Sequence, residues 1–340
     1  MEILVTGGAG FIGAHLVRAL CARRHRVTIL DLRRPASPAS AEAAPSVRTG
    51  SVTDTALVTE LVQRAELVVH LAGIAEPLQY GADPLGTMEV NLQGSLNVAR
   101  ACTAAGVPIV FASTSEVYGQ NPALPWAEDA DRVLGSVSDV RWCYATSKAA
   151  VEHYLGAARR QRGLDYTVFR LFNVYGDGLR GRVVDAFVEQ ALSGGPLEVH
   201  GDGRQTRSFC YVDDAIEALV RLVEAPVHRG RTYNIGNPVE TTVLELARLV
   251  IAATDSSSTI GFVPLSDLFD GFAEIRRRVP DISRITEDFG WSPRWTLVDG
   301  LQEMAALARA RRCAVAPGPP SVPGAADAHD ALSRPLTHGD

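Results

Sequence analysis

Two side chains whose types and spacing could do chemistry lie in the stretch YATSK, at residues 144–148. A spacing of four residues places Tyr144 and Lys148 on one face of a helix, about one turn apart. An ammonium group beside a phenol favours the phenolate, so we expect Lys148 to lower the pKa of Tyr144 from about 10. A tyrosine tuned in this way can act as a general base and remove a proton from an alcohol such as a sugar hydroxyl.

The first residues of the chain have the pattern of a site for a dinucleotide, which could accept the hydride of that alcohol. The apolar run at residues 3–5 predicts a buried strand, and an amphipathic helix pattern begins at Phe11. Between them lie three glycines at intervals of three residues, Gly7, Gly10 and Gly13. Glycine lets the backbone turn tightly and approach a pyrophosphate, which the free N–H groups at the start of the helix can bind.

The second strand pattern, at residues 27–30, ends at Asp31. An acid about 20 residues after the glycine turn binds the ribose hydroxyls of the adenosine. The charge of Asp31 would repel a 2′-phosphate, so we predict NAD as the cofactor. Arg33 and Arg34 lie just beyond, and we interpret them as residues of a solvated turn.

Composition and charge narrow the classes of function. At 340 residues the chain can bury a large core, and its formal charge of −6 gives no electrostatic support to a nucleic-acid partner. No apolar run is long enough to span a bilayer, so we expect no membrane partner. The five cysteines are scattered, without a C-x-x-C pair. This pattern predicts reduced thiols, a cytoplasmic location and no metal site.

The elements that must position these residues alternate along the first half of the chain. Strand patterns lie at residues 3–5, 27–30, 47–49, 67–71, 109–112 and 166–169. Helix patterns lie between them, at residues 11–20, 54–64, 84–105 and 143–160. Alternating strands and helices favour an α/β fold with a Rossmann-type, doubly wound parallel sheet.

After about residue 172 the elements become shorter. We predict helices at 183–192, 213–223 and 242–253, and strands at 197–199, 233–235 and 260–263. We interpret this part as a smaller α/β lobe that encloses a substrate cleft at the carboxyl edge of the sheet. The predicted organisation is an NAD-binding domain over residues 1–172, a substrate-binding lobe mainly over 173–313, and a disordered tail over 314–340, which is rich in Pro, Gly and Ala.

Together, the G-x-x-G-x-x-G turn and the YATSK stretch resemble the extended short-chain dehydrogenase/reductases, the NAD-dependent epimerase/dehydratase family, over roughly residues 1–310. The resemblance implies that Thr114, Tyr144 and Lys148 act together in catalysis. It also implies an NAD site formed by Gly7, Gly10, Phe11, Ile12, Gly13, Asp31, Leu32, Ser51, Val52, Leu71, Ala72, Gly73, Asn91, Ser113, Tyr144 and Lys148. The chain departs from the family at Ser51, where an Asp usually meets the adenine.

The stretch STSEVYG, at residues 113–119, distinguishes subgroups of this family. Hexose 4,6-dehydratases carry Thr-Asp-Glu, whose Asp expels the C6 hydroxyl, and Ser115 stands in place of that acid here. The sequence Thr-Ser-Glu is similar to the motif of UDP-glucuronate decarboxylases, which include the UDP-xylose synthases. Four further stretches resemble the same subgroup: AEPLQY at 75–80, RWCY at 141–144, GRVV at 181–184 and RRRVPD at 276–281.

The resemblance implies decarboxylation of UDP-glucuronate through a 4-keto intermediate, giving UDP-xylose or a UDP-4-keto-pentose. Thr114 and Tyr144 would hold the C4 oxygen, while Ser115 and Arg278 would meet the carboxylate. Glu116 would repel that carboxylate and place a water for protonation of C5. The family motifs imply that the UDP-sugar is bound by Pro77, Tyr80, Asn173, Arg182, Arg207 and Arg278.

Alternatives remain open on the sequence alone. A 4-epimerase or dehydratase of nucleotide sugars would use the same oxidation step, whereas a non-catalytic dinucleotide sensor would not need the catalytic residues. Glu116 could serve only as a cap of backbone N–H groups, Arg278 only as a diphosphate ligand, and Arg182 only as a surface charge. The residues do not decide between uracil and thymine, or whether the keto sugar is reduced before release.

The resemblance also implies a homodimer, because members of this family commonly associate through two helices of each subunit. In this chain those helices are predicted at residues 84–105 and 143–160. We expect apolar positions on them to line the interface, unless they are buried against the sheet of their own subunit. These positions are Val98, Ala149, Val151 and Leu155.

Overall fold

A computed structural model describes residues 1–35, 44–225, 230–264 and 275–315. The strands in these ranges are β1 (Glu2–Thr6), β2 (Arg26–Asp31), β3 (Ser46–Thr49), β4 (Leu67–His70), β5 (Ile109–Thr114), β6 (Tyr166–Leu171), β7 (Val174–Tyr175), β8 (Leu197–His200), β9 (Thr206–Ser208), β10 (Cys210–Tyr211), β11 (Arg231–Ile235), β12 (Glu240–Thr242) and β13 (Ile260–Val263). Among these described strands, seven form one parallel sheet in the order β11-β6-β5-β4-β1-β2-β3. The predicted Rossmann-type sheet is confirmed.

Helices cover both faces of this sheet. They are α1 (Phe11–Ala22), α2 (Thr55–Val62), α3 (Pro77–Ala82), α4 (Pro84–Met88), α5 (Ser95–Ala105), α6 (Trp142–Arg162), α7 (Val183–Leu192), α8 (Val212–Glu224), α9 (Val243–Ala253), α10 (Ser283–Phe289) and α11 (Leu297–Val315). Among the described helices, none is long and apolar enough to cross a bilayer.

The alternation of side chains along β1 explains why the sheet has two cores. Ile3 and Val5 belong to the core that includes side chains of α1 and α8, whereas Leu4 belongs to the core that includes those of α2, α5 and α6. Successive side chains of a strand point to opposite faces, and all three of these are at most 1% exposed. The sheet is therefore buried on both sides, as a parallel sheet with helical crossovers requires.

The helix predicted at 84–105 is interrupted in the structure. A π-helical turn, Glu89–Gly94, separates α4 from α5. Within this turn, the buried side chain of Asn91 accepts the N–H of Ile74 at 2.7 Å and donates to its carbonyl at 2.8 Å. Single π-helical turns occur frequently at functional sites. This one fixes the loop that follows β4, at the carboxyl edge of the sheet.

The structure also differs from the prediction in the position of one late strand. The predicted strand at 233–235 lies in β11, which pairs with β6 and extends the main sheet. The remaining late strands form separate pairs, β10 with β7, β12 with β9 and β13 with β8. A boundary at residue 172 stays a prediction. The predicted tail lies outside the described residues from 316 onward, and α11 includes the two residues before that point.

Candidate active site

The glycine turn after β1 brings the backbone of two strand ends and one helix start together. Gly7 has a left-handed φ of 73°, and a Cβ on it would lie 2.6 Å from the backbone nitrogen of Ala72. A Cβ on Gly13 would lie 2.1 Å from the carbonyl oxygen of Gly7. A Cβ on Gly10, by contrast, would have only one neighbouring atom within 4 Å, the carbonyl oxygen of Gly7 at 3.3 Å. The open space beside Gly10 and the start of α1 fits a pyrophosphate.

Asp31, at the end of β2, is held against this turn. Its carboxylate accepts the N–H of Ala9 and the N–H of Arg33, each at 3.0 Å. Leu32 beside it is 69% exposed. A carboxylate oxygen has two acceptor positions, so Asp31 keeps capacity for a ribose hydroxyl. The geometry therefore fits the adenosine half of NAD.

The other predicted residues of the cofactor site differ in the contacts that their side chains make and in the elements that carry them. Ser51 accepts the N–H of Thr53 at 3.1 Å, and the Val52 side chain lies in the core. Leu71, Ala72 and Gly73 follow β4, while Phe11 and Ile12 begin α1. The side-chain amide of Asn91 bonds the N–H and the carbonyl of Ile74. It therefore positions the backbone beside Gly73 rather than presenting a free amide to a ligand.

Thr114 and Tyr144 meet at the carboxyl end of β5. The Thr114 hydroxyl accepts the N–H of Glu116 at 3.2 Å, and its proximity to the Tyr144 phenol favours the ionised form of that phenol. Tyr144 is buried, and its ring stacks on that of Tyr80 with centroids 5.3 Å apart. Burial, together with the nearby charge of Glu116, raises the pKa of Tyr144 to about 12. The pKa of Tyr144 is thus shifted in the direction opposite to the one expected from Lys148.

Lys148 lies one turn after Tyr144 on α6, as predicted, but its ammonium group faces the sheet. Its Nζ donates to the carbonyl oxygen of Ala112 at 3.0 Å and lies 4.9 Å from the ring centroid of Phe111. Burial lowers the pKa of Lys148 to about 8, an effect that the charge of Glu152 opposes. A Cβ on Gly73 would lie 3.3 Å from the ammonium nitrogen, so Lys148 borders the predicted cofactor site.

Glu116 is the centre of a buried charged cluster beside Tyr144. Its Oε1 lies 3.2 Å from Nη2 of Arg278 and 3.4 Å from Nη2 of Arg141. Burial opposes ionisation of Glu116, but these guanidinium groups outweigh it and lower the pKa of the carboxyl. Within the described part of the chain, Glu116 Oε2 and Arg278 Nε are buried without a hydrogen-bond partner. Such orphaned buried atoms indicate a place where a polar ligand completes the cluster.

The predicted substrate residues of the first half of the chain surround this cluster, together with Arg182. Tyr80, on α3, is fully buried, and Pro77 begins the same helix. Arg182, immediately before α7, donates to the carbonyl of Ala75 at 2.7 Å and lies 3.0 Å from a carboxylate oxygen of Glu76. The structure thus brings Arg182 to the segment that leads into α3, rather than leaving it as an isolated surface charge.

The predicted nucleotide residues come from the late strands. Asn173 has a left-handed φ of 38° and donates to the carbonyl of Ser208 at 3.2 Å. Arg207, on β9, donates to the carbonyl of Thr206 at 2.7 Å and of Arg276 at 3.3 Å. These bonds tie the Asn173 turn to β9 and β9 to the segment that carries Arg278. Arg207 therefore lies on β9, and Asn173 lies on the turn between β6 and β7 that is bonded to β9.

Two residues that the sequence analysis did not assign to the site belong to it. Arg141 lies immediately before α6, in the RWCY stretch quoted above, and contacts Glu116. Glu152 lies one turn after Lys148 on α6, where a spacing of four residues could have indicated it. Its carboxylate accepts the hydroxyl of Ser113 and the guanidinium of Arg170, the latter at 2.6 and 3.1 Å.

We predict that Glu152→Gln lowers the free energy of unfolding by about 3–5 kcal/mol, because it leaves the buried charge of Arg170 without its carboxylate. Urea unfolding would measure this difference. The control is Glu60→Gln, which removes the carboxylate of the surface ion pair with Arg48 and should leave the midpoint nearly unchanged. Equal midpoints for both variants would contradict the assignment of Glu152 as a core electrostatic anchor.

The chain was compared with known proteins. Residues 3–236 match the model of the NAD dependent epimerase/dehydratase family. A UDP-N-acetyl-alpha-D-glucosaminuronate decarboxylase of Bacillus cytotoxicus is 37% identical over 88% of this chain and 95% of that protein. UDP-glucuronic acid decarboxylase 1 of Arabidopsis thaliana is 35% identical, over 92% of this chain and 70% of that protein.

Among solved structures, a UDP-glucose 4-epimerase of Thermus thermophilus in complex with NAD superposes with a TM-score of 0.78. It is 30% identical, and the match covers 91% of this chain and 99% of that one. The parallel sheet and the glycine turn after β1 agree with these matches. The chain belongs to the NAD-dependent epimerase/dehydratase family.

Proposed function

We propose that this chain is an NAD-dependent decarboxylase of UDP-glucuronate. The observation that carries the proposal is the buried cluster of Glu116, Arg141 and Arg278 beside the Tyr144 phenol. A neutral sugar gives no reason to bury two guanidinium groups beside the oxidised carbon, whereas a C6 carboxylate does. The decarboxylases among the relatives support the same choice.

The first step is oxidation of the sugar at C4. When bound, NAD supplies the hydride acceptor and a positively charged ring, which favours the phenolate of a nearby tyrosine. Tyr144 removes the proton of the C4 hydroxyl, and Thr114 holds the same oxygen by its hydroxyl. Lys148 adds a positive charge one turn away from Tyr144 on α6. Ser113, which precedes Thr114, is held by its hydrogen bond to the carboxylate of Glu152.

The second step follows from the product of the first. A C4 ketone with a carboxylate on C5 is a β-keto acid, which loses carbon dioxide because the bond electrons move toward the ketone oxygen. Thr114 and Tyr144 lie where that oxygen develops its charge, and hydrogen-bond donors there stabilise the enolate. Ser115 and Arg278 meet the carboxylate, and Glu116 opposes its charge and orders a water that returns a proton to C5. The product is UDP-xylose, or a UDP-4-keto-pentose if no hydride returns.

Residues on β9 and on the segments before β7 and α7 bind the nucleotide in this proposal. Arg207 and Arg182 each offer a guanidinium fork, which suits a diphosphate because it can bind two oxygens at once. Asn173 precedes both in sequence, at a left-handed turn whose side chain donates to the last residue of β9. We propose residues 1–172 as the NAD-binding part and residues 173–313 as the main nucleotide-sugar part, with β11 returning to the first.

The test is turnover of three nucleotide sugars in the presence of NAD, followed by the mass of each product. Loss of carbon dioxide from UDP-glucuronate supports the proposal. A second candidate substrate is UDP-N-acetylglucosaminuronate, because the relative from Bacillus cytotoxicus is named for it. An isomer of equal mass from UDP-glucose or UDP-glucuronate would indicate a 4-epimerase, and loss of water would indicate a dehydratase. No turnover of any of them, with NAD bound, would leave a dinucleotide sensor.

We further propose a homodimer in the cytoplasm. All five cysteines are free thiols, as expected for a reducing compartment. Three interface positions expected from the sequence, Val98, Val151 and Leu155, have no exposed surface and pack in the core of their own subunit. Ala149 is 8% exposed. The proposed interface therefore uses the outer faces of α5 and α6, where Leu96, Ala150 and Ala157 are partly exposed.

We predict that the protein sediments as a dimer at micromolar concentration. Ala150→Arg should shift it toward monomer, because the substitution introduces a charge and a long side chain on the proposed face. The control is Ala252→Arg, at an exposed position on α9, which is not part of the proposed face. A monomeric wild-type protein, or an unchanged dimer in the Ala150 variant, would contradict this interface.

A further inference from the structure

We propose that the buried histidine His70 is a positioning residue for the NAD site, because it carries a chain of hydrogen bonds to the loop beside the glycine turn. The chain runs from Ser95 through His70 and Thr6 to the backbone N–H of Ala72. Because this role concerns the cofactor alone, it holds whichever nucleotide sugar the protein acts on.

Three buried side chains from three different elements form this hydrogen-bond chain. Nε2 of His70, at the end of β4, lies 2.8 Å from the hydroxyl oxygen of Ser95, at the start of α5. Nδ1 of His70 lies 2.6 Å from the hydroxyl oxygen of Thr6, which ends β1 and accepts the N–H of Ala72 at 3.3 Å. Ser95, His70 and Thr6 have no exposed surface, so bulk water does not compete for these polar groups.

The direction of the hydrogen bonds follows from the donors that are present. The Thr6 hydroxyl has one hydrogen, and in the part of the chain that the structure describes its only acceptor is Nδ1 of His70. Nδ1 therefore accepts from Thr6, and the imidazole carries its proton on Nε2, which donates to Ser95. Burial, with a smaller effect of the Lys148 charge, lowers the pKa of His70 to about 3, so the ring is neutral at neutral pH and can accept this bond.

The loop that the chain holds lies between two parts of the cofactor site. A Cβ on Gly7 would lie 2.6 Å from the backbone nitrogen of Ala72, so Ala72 packs directly against the glycine turn. One residue later, a Cβ on Gly73 would lie 3.3 Å from Nζ of Lys148. A shift of Ala72 would thus change the spacing both at the turn that fits the pyrophosphate and at Lys148.

A second clamp holds the same loop and does not depend on the imidazole. Asn91 accepts the N–H of Ile74 at 2.7 Å and donates to its carbonyl at 2.8 Å. Asn91 belongs to the π-helical turn that ends immediately before Ser95. Loss of the His70 hydrogen bonds should therefore loosen Ala72 while Ile74 stays clamped, which makes a local effect on NAD more probable than a collapse of the fold.

The ring of His70 also has a packing role, which can be separated from its hydrogen bonds. It stacks on the ring of Phe111 with centroids 5.8 Å apart and an interplanar angle of 26°. Nζ of Lys148 lies 4.9 Å from the centroid of the same Phe111 ring. His70→Phe keeps an aromatic ring at this place and removes both nitrogen atoms, so it tests the hydrogen bonds rather than the packing.

The experiment compares the wild-type protein with His70→Phe, Thr6→Val and Thr6→Ser, each freed of bound cofactor and titrated with NAD and with UDP. In the first two variants a buried donor loses its acceptor, the loop can move, and NAD binding must restore its position. We expect their Kd for NAD to rise about 5- to 20-fold, at the lower end of the range for such a loss. Thr6→Ser keeps the hydroxyl and should bind NAD within about 2-fold of the wild type.

UDP serves as the reference ligand within each variant, because its proposed residues lie away from this loop, and its Kd should change by less than about 2-fold. The matched control is Thr254→Val, which removes a buried hydroxyl that donates to the carbonyl of Val250 at 2.7 Å at the end of α9. It should bind both ligands as the wild type does. If His70→Phe does not fold, the comparison of Thr6→Val with Thr6→Ser still decides the question.

Three outcomes of the titrations would overturn the role of His70. They are wild-type affinity for NAD in both His70→Phe and Thr6→Val, a parallel loss of NAD and UDP, and an equal loss of NAD in Thr6→Ser and Thr6→Val. None of these measurements uses a nucleotide sugar or its turnover. Failure of the proposed decarboxylase function would therefore leave the result for His70 unaffected.

Nitrogen NMR of the imidazole gives a readout that packing alone would not fix. The His70 signals, identified by their absence in His70→Phe, should show a proton on Nε2 and none on Nδ1. This state should persist from about pH 5 to pH 9, a range in which an ordinary histidine titrates. A proton on Nδ1, or protonation of both nitrogens within that range, would contradict the chain of hydrogen bonds from Thr6 to Ser95.

Discussion

Tyr144→Phe should fold, bind NAD and lose roughly 10²- to 10⁴-fold in turnover, the usual cost of removing a positioned general base. The phenylalanine ring can keep the stacked contact with Tyr80, whose centroid lies 5.3 Å away. The substitution therefore removes the reacting oxygen and leaves the aromatic ring in place. The step affected is oxidation at C4, so the absorbance of NADH on mixing should be lost together with carbon dioxide release.

The raised pKa of Tyr144 bears on this prediction. Burial and the charge of Glu116 raise that pKa to about 12, so Tyr144 needs a nearby positive charge to act as a base at neutral pH. The hydroxyl of Thr114 opposes this rise and remains in the variant. Near-wild-type turnover in Tyr144→Phe would remove Tyr144 from the mechanism.

The control for Tyr144→Phe is Tyr154→Phe, which deletes a phenol oxygen from the same helix where the side chain packs at the edge of the core. It should retain wild-type turnover. A comparable loss in both variants would indicate that α6 is disturbed as a whole, rather than that one oxygen acts on the substrate.

Local patterns in the sequence are sufficient to predict the turn, the strand end and the helix that carry this site. The glycine turn, the acid at the end of β2 and the spacing of Tyr144 and Lys148 each lie within one or two elements, so periodicity and turn chemistry predict them. The parallel sheet follows from the alternation of strands and helices. By contrast, β11 was assigned to the wrong part of the fold, because a short apolar run does not reveal which sheet it joins.

The charged cluster could not be derived in this way. Glu116, Arg141 and Arg278 come from the end of β5, the start of α6 and a late segment near Trp126, and only the folded chain brings them together. The sequence also does not predict the direction of the Lys148 side chain. Helical spacing placed it on the same face as Tyr144, but its ammonium group turns to the carbonyl of Ala112. Burial is the largest cause of the shifted pKa values of Tyr144 and Lys148, and burial is a property of tertiary packing.

The second large effect concerns Glu116, whose variant should separate decarboxylation from the oxidation that precedes it. In the structure Glu116 carries a charge stabilised by Arg141 and Arg278, and its charge in turn acts on Tyr144. Glu116→Gln keeps the size of the side chain and removes that charge. The attraction between Glu116 and the two guanidinium groups would then be lost, as would the repulsion between Glu116 and the substrate carboxylate, so UDP-glucuronate should bind as well as before or more tightly.

Tighter binding of the carboxylate should slow the loss of carbon dioxide. The charge on the carboxylate must leave C6 as the bond breaks, and in Glu116→Gln less repulsion is relieved in that step. Oxidation at C4, which depends on Tyr144 and Thr114, should persist. Rapid mixing of the NAD-loaded variant with UDP-glucuronate should thus show NADH absorbance that appears quickly and decays slowly, with carbon dioxide released at the slow rate.

The outcomes of the Glu116→Gln experiment assign the residue to one step. If the folded variant forms no NADH, Glu116 belongs to oxidation or to binding, and the division between the two steps is wrong. If it releases carbon dioxide at the wild-type rate, Glu116 only supports the local backbone at the end of β5. Glu128→Gln is the matched control, because that buried carboxylate binds the backbone of Asn234 instead of the cluster, and its NADH transient should decay at the wild-type rate.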